Sequence, residues 1–514
     1  MKTVRNAVGR DIPVELEGRK LKPYKGLFRN PPPKRKAGGY FGYVKPGDKK
    51  LLASLEDAIH SCKLKNGMTV SFHHHLRNGD YVTNLVMNTI ADLGFKNITV
   101  APSALFPVHE PLVDLIDQGV IHSIEGSANG PVGDAISHGR MKGLSILRSH
   151  GGRVRAIESG ELKIDIAFVA APSADDQGNS NGMFGKSACG SLGYAVADSI
   201  HARKVVIITD NLVPYPCTPI SISADYVDHV VEIPCIGDNQ KIVSGTTMIA
   251  TDPQKLSIAQ NALDLMVHTG IFRNGMSFQA GAGGISLATT KFLGELLKEK
   301  KYVACFIDGG VTEHVVDIYK NGNCAKILNG QSFDVKSIED LISNPDHVEI
   351  TPNYYANPWN KGSLVNILDA VVLGATEADI DFNINVNTHS DGRLLHGIGG
   401  HQDTAVGAKL SMMMMPIYRK KNAIIRDRVT TVTTPYQAVD AIVTDIGVAI
   451  NPERKDLLKA LKGSPMKVYD IKEFRDMAYA QTGTPAEPEY KDRIVSIVQF
   501  RDGTVLDTIR QVKD

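Results

Sequence analysis

Apolar residues follow two alternating spacings along the chain, one typical of helices and one typical of strands. They recur at helical spacing over residues 51–62 and again over 82–93, which predicts two amphipathic helices. Short apolar runs at 68–72, 98–101 and 205–209 predict strands, and the last is apolar throughout, as in parallel strands buried on both faces. The pattern predicts an α/β protein with largely parallel sheets.

Two short sequence patterns occur twice. Asn66-Gly67-Met68-Thr69 recurs 208 residues later as Asn274-Gly275-Met276-Ser277, and Asp165-Ile166-Ala167-Phe168 recurs 214 residues later as Asp379-Ile380-Asp381-Phe382. Chance similarity is the alternative, but the nearly equal offsets favour an internal duplication. Asp252-Pro253 supplies a cap and an early proline for a new helix. We therefore predict an extended Pro/Lys/Arg-rich arm at 1–50 and two related, open α/β domains at 51–250 and 251–514.

Composition excludes several function classes. The chain has 57 Lys and Arg against 56 Asp and Glu, without long blocks of one sign, so neither nucleic acid nor a membrane surface is an expected partner. The sequence contains no run of 18 apolar residues, so no membrane span is predicted. The six cysteines form no CxxC pair and are expected to be reduced thiols. With no apolar signal segment near Met1, we expect a cytoplasmic protein.

Glycine is concentrated in four short loops, at residues 149–153, 178–182, 281–284 and 397–403. Glycine lets backbone N–H groups approach an anion or a developing oxyanion without interference from a Cβ. Such loops suit acyl or phosphate groups. A dinucleotide site at 281–284 is weakly supported, because Ser286 stands where the third glycine of that fingerprint would be. A plain turn explains this loop at least as well.

Longer motifs occur in a fixed order from about residue 50 to the C-terminus. They are Ser71-Phe72-His73-His74, Ser149-His150-Gly151-Gly152-Arg153-Val154, Ser159-Gly160-Glu161-Leu162, Gly185-Lys186-Ser187, Cys189-Gly190-Ser191-Leu192-Gly193-Tyr194-Ala195, the 281–284 loop, Gln331-Ser332-Phe333-Asp334, Gly399-Gly400-His401, Asp403-Thr404-Ala405, Arg501-Asp502-Gly503 and Ile509-Arg510-Gln511-Val512-Lys513. On these motifs the chain closely resembles the alpha subunits of citrate lyase, distant relatives of the CoA-transferases, which share a duplicated α/β fold. The arm lies outside the resemblance.

The resemblance implies a citrate CoA-transferase reaction, in which citrate and an acetylated carrier protein give citryl carrier protein and acetate. The thioester would lie on the CoA-like phosphoribosyl-dephospho-CoA group of a separate gamma subunit, and a beta subunit would cleave the citryl group. The chain itself would hold no cofactor, and an oligomer is expected. Citramalate in place of citrate stays open.

The same resemblance suggests which loops stabilise the oxyanion of thioester attack. Gly397, Gly399 and Gly400 match the glycine loop near the thioester in related CoA-transferases. A second group of N–H donors could come from Gly281, Gly283 and Gly284. Tight turns are the alternative for both loops. His389 and His401 are candidates to steer the thiolate or to donate to a carboxylate, because imidazole titrates near neutral pH; bystander histidines are the alternative.

Citrate requires local cations, preferably bidentate arginines. Arg77, Arg153 and Arg393 lie in or beside polar glycine loops, and His74 precedes the first of them. Solvated surface arginines are the alternative. Three consecutive histidines do not predict a metal site, because neighbours on a strand alternate faces and only Asp80 accompanies them.

The catalytic nucleophile of many CoA-transferases is a glutamate, but the corresponding stretch here ends in the shorter Asp308, with Glu313 following. This difference argues against an enzyme-bound thioester. The resemblance to citrate lyase alpha subunits implies that citrate itself attacks the thioester through a mixed anhydride, with Asp308 as a structural cap or polar wall. A covalent acetate CoA-transferase or acyl-CoA hydrolase that uses Asp308 or Glu313 is one alternative. A non-catalytic scaffold subunit is another.

Overall fold

The computed structural model describes residues 1–243 and 247–513, and in them two large, mostly parallel sheets dominate. Eight strands of the first sheet are β1 (Leu51–Leu52), β2 (Thr69–Phe72), β3 (Ile98–Pro102), β4 (Ile121–Gly126), β5 (Ser145–Leu147), β6 (Ile166–Ala170), β7 (Lys204–Thr209) and β8 (His229–Glu232). The helices around them are α1 (Leu55–Ser61), α2 (Val82–Asp92), α3 (Leu112–Asp117), α4 (Gly130–Ser137), α5 (His150–Glu158) and α6 (Gly193–His201).

The second sheet repeats this alternation. Its strands are β9 (Ser277–Ala280), β10 (Phe306–Val311), β11 (Ile327–Ser332), β12 (His347–Glu349), β13 (Ala370–Gly374), β14 (Leu410–Met414), β15 (Ala441–Val443) and β16 (Val448–Ile450). The helices are α7 (Pro253–His268), α8 (Gly284–Lys300), α9 (Glu313–Lys320), α10 (Val335–Ser343), α11 (Pro352–Ala356), α12 (His401–Gly407), α13 (Lys455–Leu461) and α14 (Ile471–Thr482). The strand order is β12-β11-β10-β9-β13-β14-β15-β16. Within the described residues, β15 and β16 form the only antiparallel pair of this sheet.

The duplication is visible in matched hydrogen bonds, which also correct part of the repeat predicted from sequence. The N–H of Thr69 donates to Asp165 at 2.9 Å, and the N–H of Ser277 donates to Asp369 at 3.0 Å. Asp165 is therefore equivalent to Asp369, not to Asp379. The Asn66 and Asn274 tetrapeptides, in contrast, do precede equivalent central strands.

Asp379 instead has its counterpart in Asp175. Each of these carboxylates caps a five-residue loop, accepting from the N–H of Asn179 at 3.1 Å or of Asn383 at 2.9 Å. The backbone bond is also repeated, because each aspartate N–H donates to the carbonyl of the same asparagine at 3.0 Å. The two halves thus share loops as well as strands, which confirms a duplicated α/β fold.

The last two strands join the first sheet rather than the second. β17 (Tyr490–Gln499) and β18 (Val505–Val512) form an antiparallel hairpin, and β17 pairs in parallel with β5. The first sheet therefore runs β18-β17-β5-β4-β3-β2-β6-β7-β8-β1. The predicted boundary at residue 250 places these two strands in the second half, although they pair with the first sheet. The hairpin therefore connects the second half to the first.

The N-terminal residues differ from a simple extended arm. Thr3–Arg5 pairs with Asp11–Pro13, and Glu15–Leu16 pairs with Arg19–Lys20. Asn6 donates to two carbonyls of β18, those of Val505 and Leu506. Residues 28–49 then cross the surface without helix or strand, and Tyr40, Phe41, Tyr43 and Val44 are exposed. In the described part of the chain, no helix is long and apolar enough to cross a membrane.

Candidate functional site

Buried polar side chains cluster where the two halves meet, and strands, loops and helices from both halves contribute to the cluster. We define the candidate cleft by His74, His150, Tyr194, Gln279, Asp308, Tyr355, Gly399 and Gly400. The two halves contact each other directly here. Gln331 of β11 donates to the carbonyl of His74 at 2.8 Å, and the N–H of His150 donates to the carbonyl of Gly399 at 2.9 Å.

Two imidazoles and a phenol form the first-half wall of the cleft. The ring centroids of His74 and His150 are 5.5 Å apart, and the ring of Tyr194 lies 4.5 Å from the first and 4.7 Å from the second. Desolvation lowers the pKa of His150 to about 3 and holds the pKa of His74 well below its ordinary value. Both imidazoles are therefore neutral at physiological pH and act as hydrogen-bonding groups rather than as cations.

The glycine loop before α12 presents backbone donors to this wall. Gly399 has φ of +62°, a conformation that favours glycine. Within the described residues, the N–H groups of Gly399 and Gly400 donate to no protein acceptor. A Cβ at Gly399 would lie 3.9 Å from Nε2 of His150, and a Cβ at Gly400 would lie 2.7 Å from Oη of Tyr355. The loop thus offers two donors beside one aromatic residue from each half.

A buried network fixes the ends of α5 and α12. Ser149 caps α5 by accepting from the N–H of Gly152, and its hydroxyl donates to Asp403 at 3.0 Å. The N–H of Gly151 donates to the other oxygen of Asp403 at 2.9 Å, and Arg501 lies 3.3 Å from this carboxylate. Burial raises the pKa of Asp403 to about 6, and Arg501 opposes that rise. These contacts hold the glycine loop in place.

Second-half residues complete the cleft. Gln279 and Asp308 are register partners on β9 and β10. The side-chain amide of Gln279 donates to Oη of Tyr355 at 2.7 Å. Asp308 is only 2% exposed, and neither of its oxygens accepts a hydrogen bond from the described residues. Burial raises its pKa well above 3.8, so this carboxyl favours its neutral form. Among the described residues it caps no helix or turn, so of the two roles expected from sequence, a structural cap or a polar wall, only the wall agrees with its position.

The three predicted citrate-binding arginines lie in different surroundings. Arg77 is buried beside the cleft, with its guanidinium 4.8 Å from the ring centre of Phe106 and 4.9 Å from that of Phe333. Arg153 instead forms a bidentate pair with buried Asp198, at 2.8 and 2.6 Å. Arg393 is on an exposed turn, paired with Asp391 at 2.9 Å. The structure brings Arg77, but not the other two, to the candidate cleft.

Other predicted site residues lie outside the cleft lining. Both ring nitrogens of His401 are in hydrogen bonds, at 2.8 Å to Thr434 and 3.1 Å to the carbonyl of Gly374. These bonds stabilise the glycine loop that ends at Gly400. His389 is exposed, on the same turn as Arg393. Gly397 is buried, and its N–H donates to Asn129 at 2.8 Å.

The loop at 281–284 begins with a hydrogen bond to the second sheet. The N–H of Gly281 donates to Val372 at 2.8 Å, and the carbonyl of Gly284 accepts from Ala250 at 3.0 Å. Gly283 has φ of +141° and is the N-cap residue of α8. The N–H of Gly281 is therefore occupied by the sheet. Among the residues that the structure describes, no group of three or more His, Cys, Asp or Glu could hold a metal ion.

Sequence reasoning missed four cleft residues. His150 and Tyr194 stand inside motifs that were recognised, yet neither was given a role. Gln279 precedes a glycine loop by two residues. Tyr355 carries no sequence signal, because it reaches the cleft through the packing of α11 against α5.

Comparison with known proteins identifies the family. The family profile for the citrate lyase alpha subunit matches residues 48–512. The chain belongs to the citrate lyase alpha-subunit family. The citrate lyase alpha chain of Escherichia coli (strain K12) is 46% identical over 471 residues, covering 91% of this chain and 92% of that one. The citrate lyase alpha chain of Haemophilus influenzae is 45% identical, with 91% and 94% covered. The resemblance inferred from the motifs is thus confirmed. A citrate lyase alpha chain is the citrate CoA-transferase component of citrate lyase.

Solved structures agree with this family. A crystal structure reported as the alpha subunit of citrate lyase from Streptococcus mutans, in complex with citrate, is 43% identical and superimposes with a TM-score of 0.96 over 99% of this chain and all of that one. A Pseudomonas malonate decarboxylase in complex with malonate is 16% identical with a TM-score of 0.62, covering 84% of this chain and 86% of that chain. The second likeness supports the fold alone.

Proposed function

We propose that this chain transfers a carrier-protein thioester from acetate to citrate, by direct attack of citrate at the candidate cleft. A citrate carboxylate oxygen attacks the acetyl carbonyl carbon, and the carrier thiolate leaves to give a mixed anhydride. The thiolate then attacks the citryl carbonyl of that anhydride, and acetate leaves. Each step forms one acyl bond and breaks another, so no further reactant is required.

The observation that supports this proposal is the pair of N–H donors at Gly399 and Gly400, which have no acceptor among the described residues. Both steps place negative charge on a carbonyl oxygen, and preorganised backbone donors stabilise such an oxyanion. Direct attack needs the reactants to be oriented, and it needs no protein nucleophile. The neutral carboxyl of Asp308 is a poor nucleophile, which favours attack by citrate over a covalent enzyme thioester.

The substrate would be held by groups beside these donors. Arg77 supplies the positive charge for a citrate carboxylate, and His74 supplies a neutral imidazole. Arg153 and Arg393 do not enter this proposal, because one is paired with Asp198 and the other is exposed. The citrate bound in the Streptococcus mutans structure supports citrate over citramalate.

The partners follow from the reaction. The thioester would lie on the phosphoribosyl-dephospho-CoA group of an acyl carrier protein, the gamma subunit, and a beta subunit would cleave citryl carrier protein. The chain would hold no cofactor of its own. The exposed apolar residues at 40–44 support a contact with another subunit, within an oligomeric complex. The six cysteines, all within the described residues, are unpaired, which supports a reducing compartment such as the cytoplasm.

The test is citrate-dependent release of acetate from acetyl carrier protein, with isotopically labelled citrate to detect citryl carrier protein. We expect both products in equal amounts. Acetate release without citrate would indicate a hydrolase. A carboxylate trapped by hydroxylamine or borohydride would indicate the covalent mechanism.

A glycine variant and its control test the loop itself. We expect Gly400→Ala to lower kcat by about 100-fold, because its Cβ would lie 2.7 Å from Oη of Tyr355. Gly362→Ala is the matched control, since no atom of the described residues beyond its chain neighbours lies within 4 Å of a Cβ at that position. Full activity of Gly400→Ala would favour a scaffold role.

A further inference from the structure

The hydroxyl group of Tyr355 has one hydrogen-bonding function occupied and one available. Its oxygen accepts from the side-chain amide of Gln279 at 2.7 Å. Its proton is donated to no acceptor in the described part of the chain. Burial raises the pKa of this phenol well above 10, so the proton stays on the oxygen at physiological pH. A neutral phenol with an unused O–H group is a hydrogen-bond donor.

This donor lies against the glycine loop. A Cβ at Gly400 would be 2.7 Å from Oη of Tyr355, so only a glycine backbone fits beside the phenol. The unoccupied N–H groups of Gly399 and Gly400 are on the same loop. Three donors from two elements are therefore close together at the cleft.

The position of Tyr355 is fixed by its helix. Thr351 caps α11 by accepting from the N–H of Tyr354, and Pro352 occupies its first turn. The carbonyl of Ala356 accepts from Arg501 at 2.6 Å. A Cβ at Gly151 would lie 2.1 Å from that same carbonyl, so α11 packs directly on the α5 backbone. A donor held in this way does not need to reorganise when charge develops.

We propose that Oη of Tyr355 donates a third hydrogen bond to the oxyanion, beside the N–H groups of Gly399 and Gly400. Gln279 is a positioning residue: by donating to the phenol oxygen, it directs the phenol proton away from itself and toward the cleft. This inference rests on the proposed transfer reaction. This proposed role differs from simple packing of the Tyr355 ring against the cleft, because packing would not require the hydroxyl group.

The decisive variant is Tyr355→Phe, assayed in the full chain with acetyl carrier protein and citrate. We expect kcat to fall by about 100-fold while the KM for citrate changes less than about threefold, because the lost bond forms only in the transition state. Gln279→Leu should lower kcat by a smaller factor, again with little change in KM. Tyr354→Phe is the matched control, since the side chain of Tyr354 is exposed, and it should retain full activity.

Incorporation of 3-fluorotyrosine at position 355 keeps the ring and makes the hydroxyl a stronger donor, which addresses the case in which the phenylalanine variant does not fold. We expect kcat to change while citrate affinity, measured by calorimetry, stays constant. Equal kcat values for tyrosine, fluorotyrosine and phenylalanine would overturn the inference. A rise in the KM for citrate with kcat unchanged would also overturn it. Absence of citrate-dependent transfer in the unmodified chain would instead contradict the proposed function.

Discussion

A buried carboxyl group without a partner makes stability depend on pH, and Asp308 is such a group. Its oxygens accept no hydrogen bond from the described residues, and burial raises its pKa well above 3.8. The folded state therefore holds this proton more tightly than the unfolded chain does. Its contribution to stability is complete below about pH 4 and is lost as the pH rises toward the folded-state pKa.

Asp308→Asn removes that ionisation while it preserves side-chain shape. We expect the variant to be more stable than the unmodified chain at pH 8, and the difference to shrink at pH 5. Each unit of pKa shift corresponds to about 1.4 kcal/mol. Thermal unfolding across this pH range measures the difference, and a difference independent of pH would contradict the raised pKa. Transfer activity should be retained within about threefold, whereas loss of an obligatory nucleophile costs on the order of 10⁴-fold or more.

Three arginines of the same charge should give three different results on replacement by glutamine. We expect Arg77→Gln to raise the KM for citrate by about 10- to 100-fold, the value of a charge-assisted hydrogen bond. Arg153→Gln should destabilise the fold by about 3–5 kcal/mol, because buried Asp198 loses its bidentate charged partner and is left with His73 at 3.3 Å. Arg393→Gln should change neither property by a measurable amount. Citrate kinetics and chemical denaturation separate these outcomes, and equal KM values for the Arg77 and Arg393 variants would contradict the assignment.

At the scale of elements, local pattern predicted strands and helices but not their partners. Asp252 accepts from the N–H of Lys255 at 3.1 Å, so it caps α7 as predicted. The run Met412–Met415 comprises the end of β14 and the residue after it, and its alternate methionines enter the cores on opposite faces of the sheet. The hairpin of β17 and β18 could not be assigned to the first sheet, because no local pattern identifies a strand's neighbour.

That hairpin places Arg501 against Asp403, and this pair should set the stability of the junction between the halves. We expect Arg501→Met to cost about 3–5 kcal/mol at pH 8, because it removes the charged partner of a buried carboxylate. The cost should fall toward pH 5, since Asp403, with a pKa of about 6 beside Arg501, becomes protonated. Lys513→Met, on the exposed end of the same hairpin, is the control. A cost that does not vary between pH 8 and pH 5 would contradict this pairing.

At the scale of the whole molecule, the sequence motifs identified the family and the loop at Gly399 and Gly400, but not the full cleft. Recognition of glycine loops depends on local sequence, which explains that success. Arg153 resembled a substrate ligand because Asp198, the residue that neutralises it, is 45 residues away. Tyr355 and Gln279 meet across 76 residues, and only the packed fold brings them together.

The N-terminal residues should divide into a segment that stabilises the fold and one that does not. The ring of Tyr24 is fully buried, 4.9 Å from that of Phe500, whereas Phe41 and Tyr43 are exposed. We expect Tyr24→Ala to lower the free energy of unfolding by about 3–5 kcal/mol, and the double variant Phe41→Ala/Tyr43→Ala to change it by less than about 0.5 kcal/mol. Chemical denaturation measures both, and comparable losses would contradict this division. If the double variant also transfers thioesters normally but binds partner subunits less tightly, its aromatic rings contribute to assembly, because neither folding nor chemistry requires them.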